Sequence, residues 1–485
     1  MNYINREHPE YVAHKATWKK YKDLYAGGER MRENASEYLV RRSKEPGEVY
    51  AERLSRVFYE NYAGSIIDWY AATLLRREPV LTYDGANEAG KQFFNSVSEN
   101  CDLKGTTLTD FFRRRFIEAL VCGKSFIVVD FPRTGEHALT RAEEDNLGRS
   151  RAYLVEYSPE EVINWSYDEN GYLEWIVLRA SSLRQEKVTD SGWVKETHWV
   201  YYDRENFRIF RRIEGAGNHG FEGVGNLLID SGGSPNPIEI IDEGRHGMAF
   251  QQRVPVFELK VSEGLWLMNK AALVQLEHFN KSNALSWALT MGLFAMPVVY
   301  SDRDFNQIVG ESYYIQLGKD DKFGWTEPEG KVYQIAADNL VKLKEEIYRV
   351  CYLMAQAGGG GLQGAGQSGL SKLRDFSVTQ EVLRAYGDAV KDSMKQVLRA
   401  VSAARQDELT VDVSGLDEFD IGDFSTELDD AKKLLEIGIE SETLKKFLFK
   451  NLAFKYLCDA RQEVKSTIAA EIDASFEKAE ARTKR

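Results

Sequence analysis

Several short patterns in this sequence carry residue types that do chemistry. Gly123-Lys124-Ser125 has the ending of a nucleotide-binding phosphate loop, where backbone amides and the lysine hold phosphates and the hydroxyl meets magnesium. Such a loop also needs a glycine five positions before Gly123, and that position is Glu118, inside a helical pattern. The order is reversed as well: helix, Gly-Lys-Ser, strand. Asp130, at the end of FIVVD, resembles a magnesium-holding acid only when taken alone, and reads more simply as the cap of a strand. ATP chemistry is therefore disfavoured.

Gly215–Gly220 and Gly364–Gly369 both fit GxGxxG. That fingerprint works only where a strand turns into a helix whose N-terminus receives a pyrophosphate. The first segment leads into more glycine-rich loop and the second follows a helix, so composition explains both. The histidines (His8, His14, His137, His198, His219, His246 and His278) form neither HExxH nor another metal spacing. His278, in a long helical pattern, reads as an interface or solvated residue. No GxSxG elbow is present. Glu418, Asp420 and Gly422 echo a calcium loop, but its fifth-position acid and sixth-position glycine do not line up. Residues 412–430 carry eight acids and no Lys or Arg, which reads as a solvated surface. The expectation is a protein that is not an enzyme, with no catalytic residue, no metal and no cofactor.

Composition bounds what remains. At about 150 residues per domain, 485 residues suggest about three domains or one multi-part fold. With 24 Phe, 24 Tyr and 9 Trp there is material for cores and interfaces, which excludes a mainly disordered chain. The net charge of −13 excludes tight non-specific gripping of nucleic acid. Cys101, Cys122, Cys351 and Cys458 are scattered, so reduced thiols are expected rather than a disulfide framework or zinc site. The N-terminus is polar, with no secretory signal. The most apolar run, Ala284–Tyr300, is 17 residues long and contains Pro297. A membrane span needs about 20 apolar residues, so this run reads as a buried helix entering a strand.

The periodicity then orders the chain. Helical spacing covers Val49–Arg77 and Thr107–Cys122, the latter ended by Gly123. From 125 to 261 the pattern becomes strand-like, in seven runs from SFIVVDF to VPVFELKV, with turn chemistry at Asp168–Gly171 and a glycine-rich loop at Gly215–Gly233. A helix over Glu263–Met291, about 40 Å long, is closed off by Pro297. A compact block at 292–336 follows, then a helix over Asp338–Gln356 with a Glu345/Arg349 i,i+4 pair. Seven of the thirteen residues in 357–369 are glycine, which no packed element tolerates. A long helix over Lys372–Arg405 comes next. The C-terminal 55 residues read as charged helices with an apolar cluster at Leu444, Phe447, Leu448, Leu452, Phe454, Tyr456 and Leu457. Long helices around a distal block bury their stripes best against neighbouring copies, which points to a ring. An ordinary helical core with a loop is the plainer alternative.

The ordered set resembles the portal protein, or head–tail connector, of tailed bacteriophages, in a branch often labelled only as a domain of unknown function. The resemblance spans essentially the whole chain. It rests on HPEY (8–11), YENYAGSIIDWYAATLLRREPV (59–80), FIEALVCGKSFIVVDFPRTG (116–135) and LVEYSP (154–159), in that order. It implies an α+β portal fold with wing, stem helices, clip, tunnel loop with long helix, and helical crown. The chain would divide into N-terminal helices and strand-rich wing (1–261), first stem helix (262–291), clip (292–336), second stem helix (337–356), Gly-rich tunnel loop (357–371), long helix and return to the wing (372–426), and crown (427–485).

The resemblance also implies a homo-oligomeric ring, usually of twelve copies, at one vertex of the virion capsid, assembled in the host cytoplasm. Double-stranded DNA would pass through it without sequence specificity during packaging and ejection. Its partners would be the terminase large subunit, a head–tail adaptor protein, and major capsid and scaffold proteins, with no membrane. Candidate channel residues are Gln363, Gln367, Ser368, Ser371 and Lys372, although Lys372 equally reads as a helix cap or the partner of a neighbouring Asp. Gly358, Gly359, Gly360, Gly361, Gly364, Gly366 and Gly369 would let the loop change shape as DNA passes. In the clip, Phe323, Trp325 and Tyr333 would be exposed interface anchors, or would fill the block's own core. The competing readings are another head–tail adaptor or minor head protein, and a nucleotide-dependent DNA enzyme.

Overall fold

Thr107 and Gly123 bracket the helix on which the strand-rich part is built. The Thr107 hydroxyl accepts the Asp110 N–H, and Gly123 leaves the helix at φ 85°, a left-handed conformation that favours glycine. The computed structural model describes residues 2–85, 87–132, 151–185, 193–214, 237–292, 296–300, 320, 322–326, 330–353, 369–416, 424–437, 441–457 and 462–483. The glycine-rich loop at 215–233 lies outside them.

The fold mixes helices and sheets. The first helices are α1 (Pro9–Ala26), α2 (Gly28–Glu33), α3 (Ala35–Tyr38), α4 (Gly47–Ser55) and α5 (Tyr62–Leu74). Strand β1 (Val80–Asp84) precedes α6 (Glu88–Glu99) and α7 (Leu108–Cys122). The strand-rich stretch holds β2 (Lys124–Asp130), β3 (Tyr153–Tyr157), β4 (Val162–Tyr167), β5 (Leu173–Arg184), β6 (Val194–Asp203), β7 (Asn206–Glu214), β8 (Glu239–Arg245) and β9 (Val256–Lys260). Then come α8 (Leu267–Gly292), β10 (Met296–Tyr300), β11 (Lys322–Thr326), α9 (Gly330–Val350) and α10 (Gly369–Arg405). The chain closes with β12 (Thr410–Ser414), α11 (Phe424–Glu436), α12 (Glu442–Tyr456) and α13 (Gln462–Thr483).

Contacts divide the chain into two units. The first comprises Met1–Lys20, Ile67–Trp266 and Gln380–Arg485. In it β4 to β8 form an antiparallel meander in sequence order, and β2 lies between β3 and β9 in a second sheet. The β4–β5 turn closes as its sequence requires: Asp168 Oδ1 accepts the Asn170 and Tyr172 N–H groups, and Gly171 takes φ 81°. Helix α7 packs on β2 and buries Phe111, Phe112 and Phe116. The Phe116 and Tyr70 rings meet Tyr386 of α10 edge-on, at 5.2 and 5.5 Å. At its C-terminus, the orphan carbonyls of Val121 and Cys122 accept the indole N–H groups of Trp266 and Trp18.

The second unit comprises Tyr21–Ile66 and Leu267–Thr379. Residues 21–66 thus pack with the long helices. The single helix expected over Val49–Arg77 is two, α4 and α5. The break is fixed by Asn61, whose Oδ1 caps α5 by accepting the Gly64 N–H. Helix α9 begins at Gly330 rather than Asp338, since KVYQI continues the helical spacing, and it ends by Val350. Arg349 forks onto Glu346 (2.5 Å), not onto Glu345. Helix α10 starts at Gly369, so Gly369, Ser371 and Lys372 belong to its first turn and not to a loop.

Candidate functional site

The features that set this chain apart are the paired helices α8 and α9 and what holds them. Three polar contacts fix their direction. Tyr333 Oη donates to Ala288 O (3.4 Å), Lys281 Nζ to Asn339 Oδ1 (2.9 Å), and Lys270 Nζ to Tyr352 Oη. Moving along α8 towards its N-terminus, the partners move towards the C-terminus of α9, so the helices run antiparallel. At about 1.5 Å per residue, the 26 residues of α8 span about 39 Å and the 21 of α9 about 32 Å. Antiparallel strands β10 and β11 join them, with Phe323 opposite Val299 and Trp325 opposite Pro297.

One face of α8 is a seam of amides. Gln275 Oε1 accepts the Ala63 N–H (3.1 Å) while its Nε2 donates to Glu60 O (2.7 Å). Asn280 Oδ1 accepts the Val40 N–H (2.8 Å) and its Nδ2 donates to Tyr38 O (3.1 Å). Asn283 does the same for Phe58, at 3.1 and 2.9 Å. Each amide satisfies a donor and an acceptor on backbone that is non-helical or at a helix end, where intrahelical partners run out. His278 completes the seam. It is buried, with Nε2 3.3 Å from Glu60 Oε2 and the Tyr62 ring edge-on at 5.2 Å. It is therefore an internal packing residue, not an interface or solvated one as its sequence context suggested. Burial pulls its imidazole below the ordinary histidine range, partly offset by the Glu60 carboxylate.

The sequence-predicted site residues fall in three places. Tyr333 is half-buried in α9 against α8. Phe323 and Trp325 stand two apart on β11. Ser371 and Lys372 lie in the first turn of α10, headed by Gly369. Gln363, Gln367, Ser368, Gly358, Gly359, Gly360, Gly361, Gly364 and Gly366 lie outside the described residues. So do Glu418, Asp420 and Gly422. The amide seam was missed by sequence reasoning. Its only signal was Gln, His, Ser and Asn at helical spacing on α8, where a fully apolar stripe is the usual pattern.

The apparent nucleotide motifs have structural roles. Lys124 Nζ sits 3.2 Å from Glu10 Oε1 and 5.2 Å over the Trp165 ring. Ser125 Oγ is buried and donates to Arg115 O. Asp130 lines a cleft of about 390 Å³ with Tyr153, Tyr157, Tyr202 and four aliphatic residues. Its carboxylate already accepts the Tyr153 O–H (3.1 Å) and the Phe131 N–H (2.9 Å). Among the described residues, no group of three His, Cys, Asp or Glu could hold a metal ion. No described helix is long and apolar enough to cross a membrane.

Large apolar side chains remain open on the long helices: Leu273 (72% exposed) on α8, and Val332 (64%) and Ile335 (60%) on α9. In the C-terminal apolar cluster, Phe447 and Tyr456 on α12 are exposed, while Leu444, Leu448, Leu452, Phe454 and Leu457 are half-buried.

No protein-family model and no curated protein matches the chain. Solved structures that align with the chain include the following two. One, described as the neck of an empty GTA particle, shares 13% identity at a TM-score of 0.42, covering 80% of this chain and 90% of that one. The other, described as the virion of a native gene transfer agent particle, shares 12% identity at a TM-score of 0.40, covering 85% and 96%.

Proposed function

We propose that this chain is the portal subunit of a tailed-phage head, a ring at one vertex of the capsid through which double-stranded DNA is packaged and ejected. Helices α8 and α9 are its stem, the β10–β11 segment its clip, α10 the long helix behind the tunnel loop, the β4–β8 meander part of its wing, and α11 to α13 its crown. The clip receives the terminase large subunit and later a head–tail adaptor. Capsid and scaffold proteins surround the ring. ATP hydrolysis belongs to the terminase, and the ring is not an enzyme.

The observation that carries this reading is the order antiparallel helix pair, short β-pair, 37-residue helix, with large apolar side chains left open along the helices. Large apolar side chains left open along paired helices suit an interface, and closed rings cover such faces on every copy. The charge fits as well. Twelve copies would carry 12 × −13 formal charges, about −156, and an acidic channel lets a polyphosphate slide where a basic one would hold it. The ring reading is tested by electron-microscope images of the purified protein. Rings with an open centre are expected; a homogeneous field of small particles at every concentration would refute it.

A further inference from the structure

One exposed turn carries a surplus of cationic charge. Glu45 N–H donates to Arg42 O (3.1 Å), closing a turn with Ser43 and Lys44 at its centre. Arg41, Arg42, Ser43 and Lys44 are all exposed, and residues 39–44 contain no acid. Arg42 and Lys44 form no ion pair among the described residues.

The turn is held from beneath by a buried ion pair. Arg53 Nη1 lies 2.8 Å from each oxygen of Glu45, and both side chains are at most 5% exposed. Glu45 Oε2 also accepts the Arg42 N–H, and Arg41 Nη2 donates to Glu45 O (2.9 Å) with its guanidinium 5.8 Å over the Tyr50 ring. Tyr50 Oη donates to Leu39 O, and Asn280 of the amide seam accepts the Val40 N–H. A buried ion pair is seldom a net source of stability, but it can fix one conformation. Here it fixes a turn that presents a guanidinium, an ammonium and a hydroxyl, and the one carboxylate beside them, Glu45, is turned inward onto Arg53. That set of donors matches an acceptor-only anion, and guanidinium suits phosphate oxygens in particular.

We propose that the Arg42–Lys44 turn is a contact point for the phosphate backbone of double-stranded DNA. This rests on the portal reading, which brings DNA to the ring. Repeated around the ring, the turn supplies weak, sequence-independent contacts in a chain that is otherwise acidic.

The test compares full-length assembled protein with the Arg42→Ala/Lys44→Ala variant for binding of a labelled duplex across a salt series. Both side chains are exposed, so the variant should melt like the parent. Each lost phosphate contact should lower affinity about eightfold at 0.1 M salt and flatten the salt slope by about 0.9, so the loss should be at least about sixtyfold and the slope change at least nearly 2, the values for a single engaged turn. A charge-matched control, Lys432→Ala/Lys445→Ala on the C-terminal helices, should bind like the parent. The proposal is overturned by unchanged affinity and slope in the turn variant, by an equal loss in the control, or by a parent that does not bind duplex. Displacement of the duplex by polyglutamate as effectively as by unlabelled DNA would also overturn it, assigning the turn to an acidic protein surface. Intact rings with any of these outcomes leave the portal reading standing, whereas absence of rings removes that reading whatever the duplex does.

Discussion

Gln275→Met keeps the side chain's size on α8 and removes both of its hydrogen bonds. Gln275 is fully buried, and Ala63, whose N–H it accepts, is 1% exposed. That N–H lies in the first turn of α5, where no intrahelical acceptor exists. Left buried without a partner, it costs about 1–3 kcal/mol, and the lost bond to Glu60 O adds about 0.5–1.5 kcal/mol. The expected loss is about 2–4 kcal/mol. At about 2–4 °C per kcal/mol for a unit of this size, the melting temperature should fall by about 4–16 °C. Urea unfolding gives the free energy, and hydrogen exchange at the Ala63 amide gives the local effect. Parent-like stability, within about 0.5 kcal/mol, together with an equally protected Ala63 amide, would refute the reasoning. The amide seam would then be incidental to holding residues 38–63 on α8.

Three further outcomes are expected. His278 and His246 are both pulled below the ordinary histidine range, chiefly by burial, so the unfolded chain binds protons first as pH drops. Stability should therefore be full above about pH 6.5 and decline below it; His278→Gln should shallow that decline in chemical denaturation, and an identical pH profile would count against it. A Cβ at Gly387 of α10 would lie 2.0 Å from Leu416 O, so Gly387→Ala should cost about 3 kcal/mol in urea unfolding, and a neutral result would mean that α10 does not pack there. Burial pushes the Cys101 and Cys351 thiols up to about 12, and Cys122 is buried too. A thiol reagent at neutral pH should leave all three unmodified until denaturant is added, as peptide mapping would show.

Local signals were legible where one residue type forces one geometry. Thr107 and Gly123 marked both ends of α7, and the runs of Val, Ile and aromatics marked β2 to β7 and β9. Strand β8 was missed because Glu239, Asp242 and Glu243 on an edge do not alternate with apolar residues; it is held by cross-strand pairs such as Arg211–Glu239 (2.6 Å). The β1–β12 ladder joins Val80 to Ser414, a pairing that local periodicity cannot carry. The break between α4 and α5 was hidden for the same reason, because the amide that holds Phe58 comes from Asn283, far along the chain. At the candidate site, the order of the long helices was readable, while most of the block at 292–336 lies outside the described residues. The boundary of α9 was not, because KVYQI fits strand alternation and helix spacing alike.

The central claim is that these helices belong to a ring, and the mass of the native assembly tests it most directly. Native mass spectrometry of the purified chain should give a closed oligomer, near 12 × 55.3 kDa or about 660 kDa for twelve copies. A single species at 55.3 kDa, unchanged as concentration rises, would contradict the account.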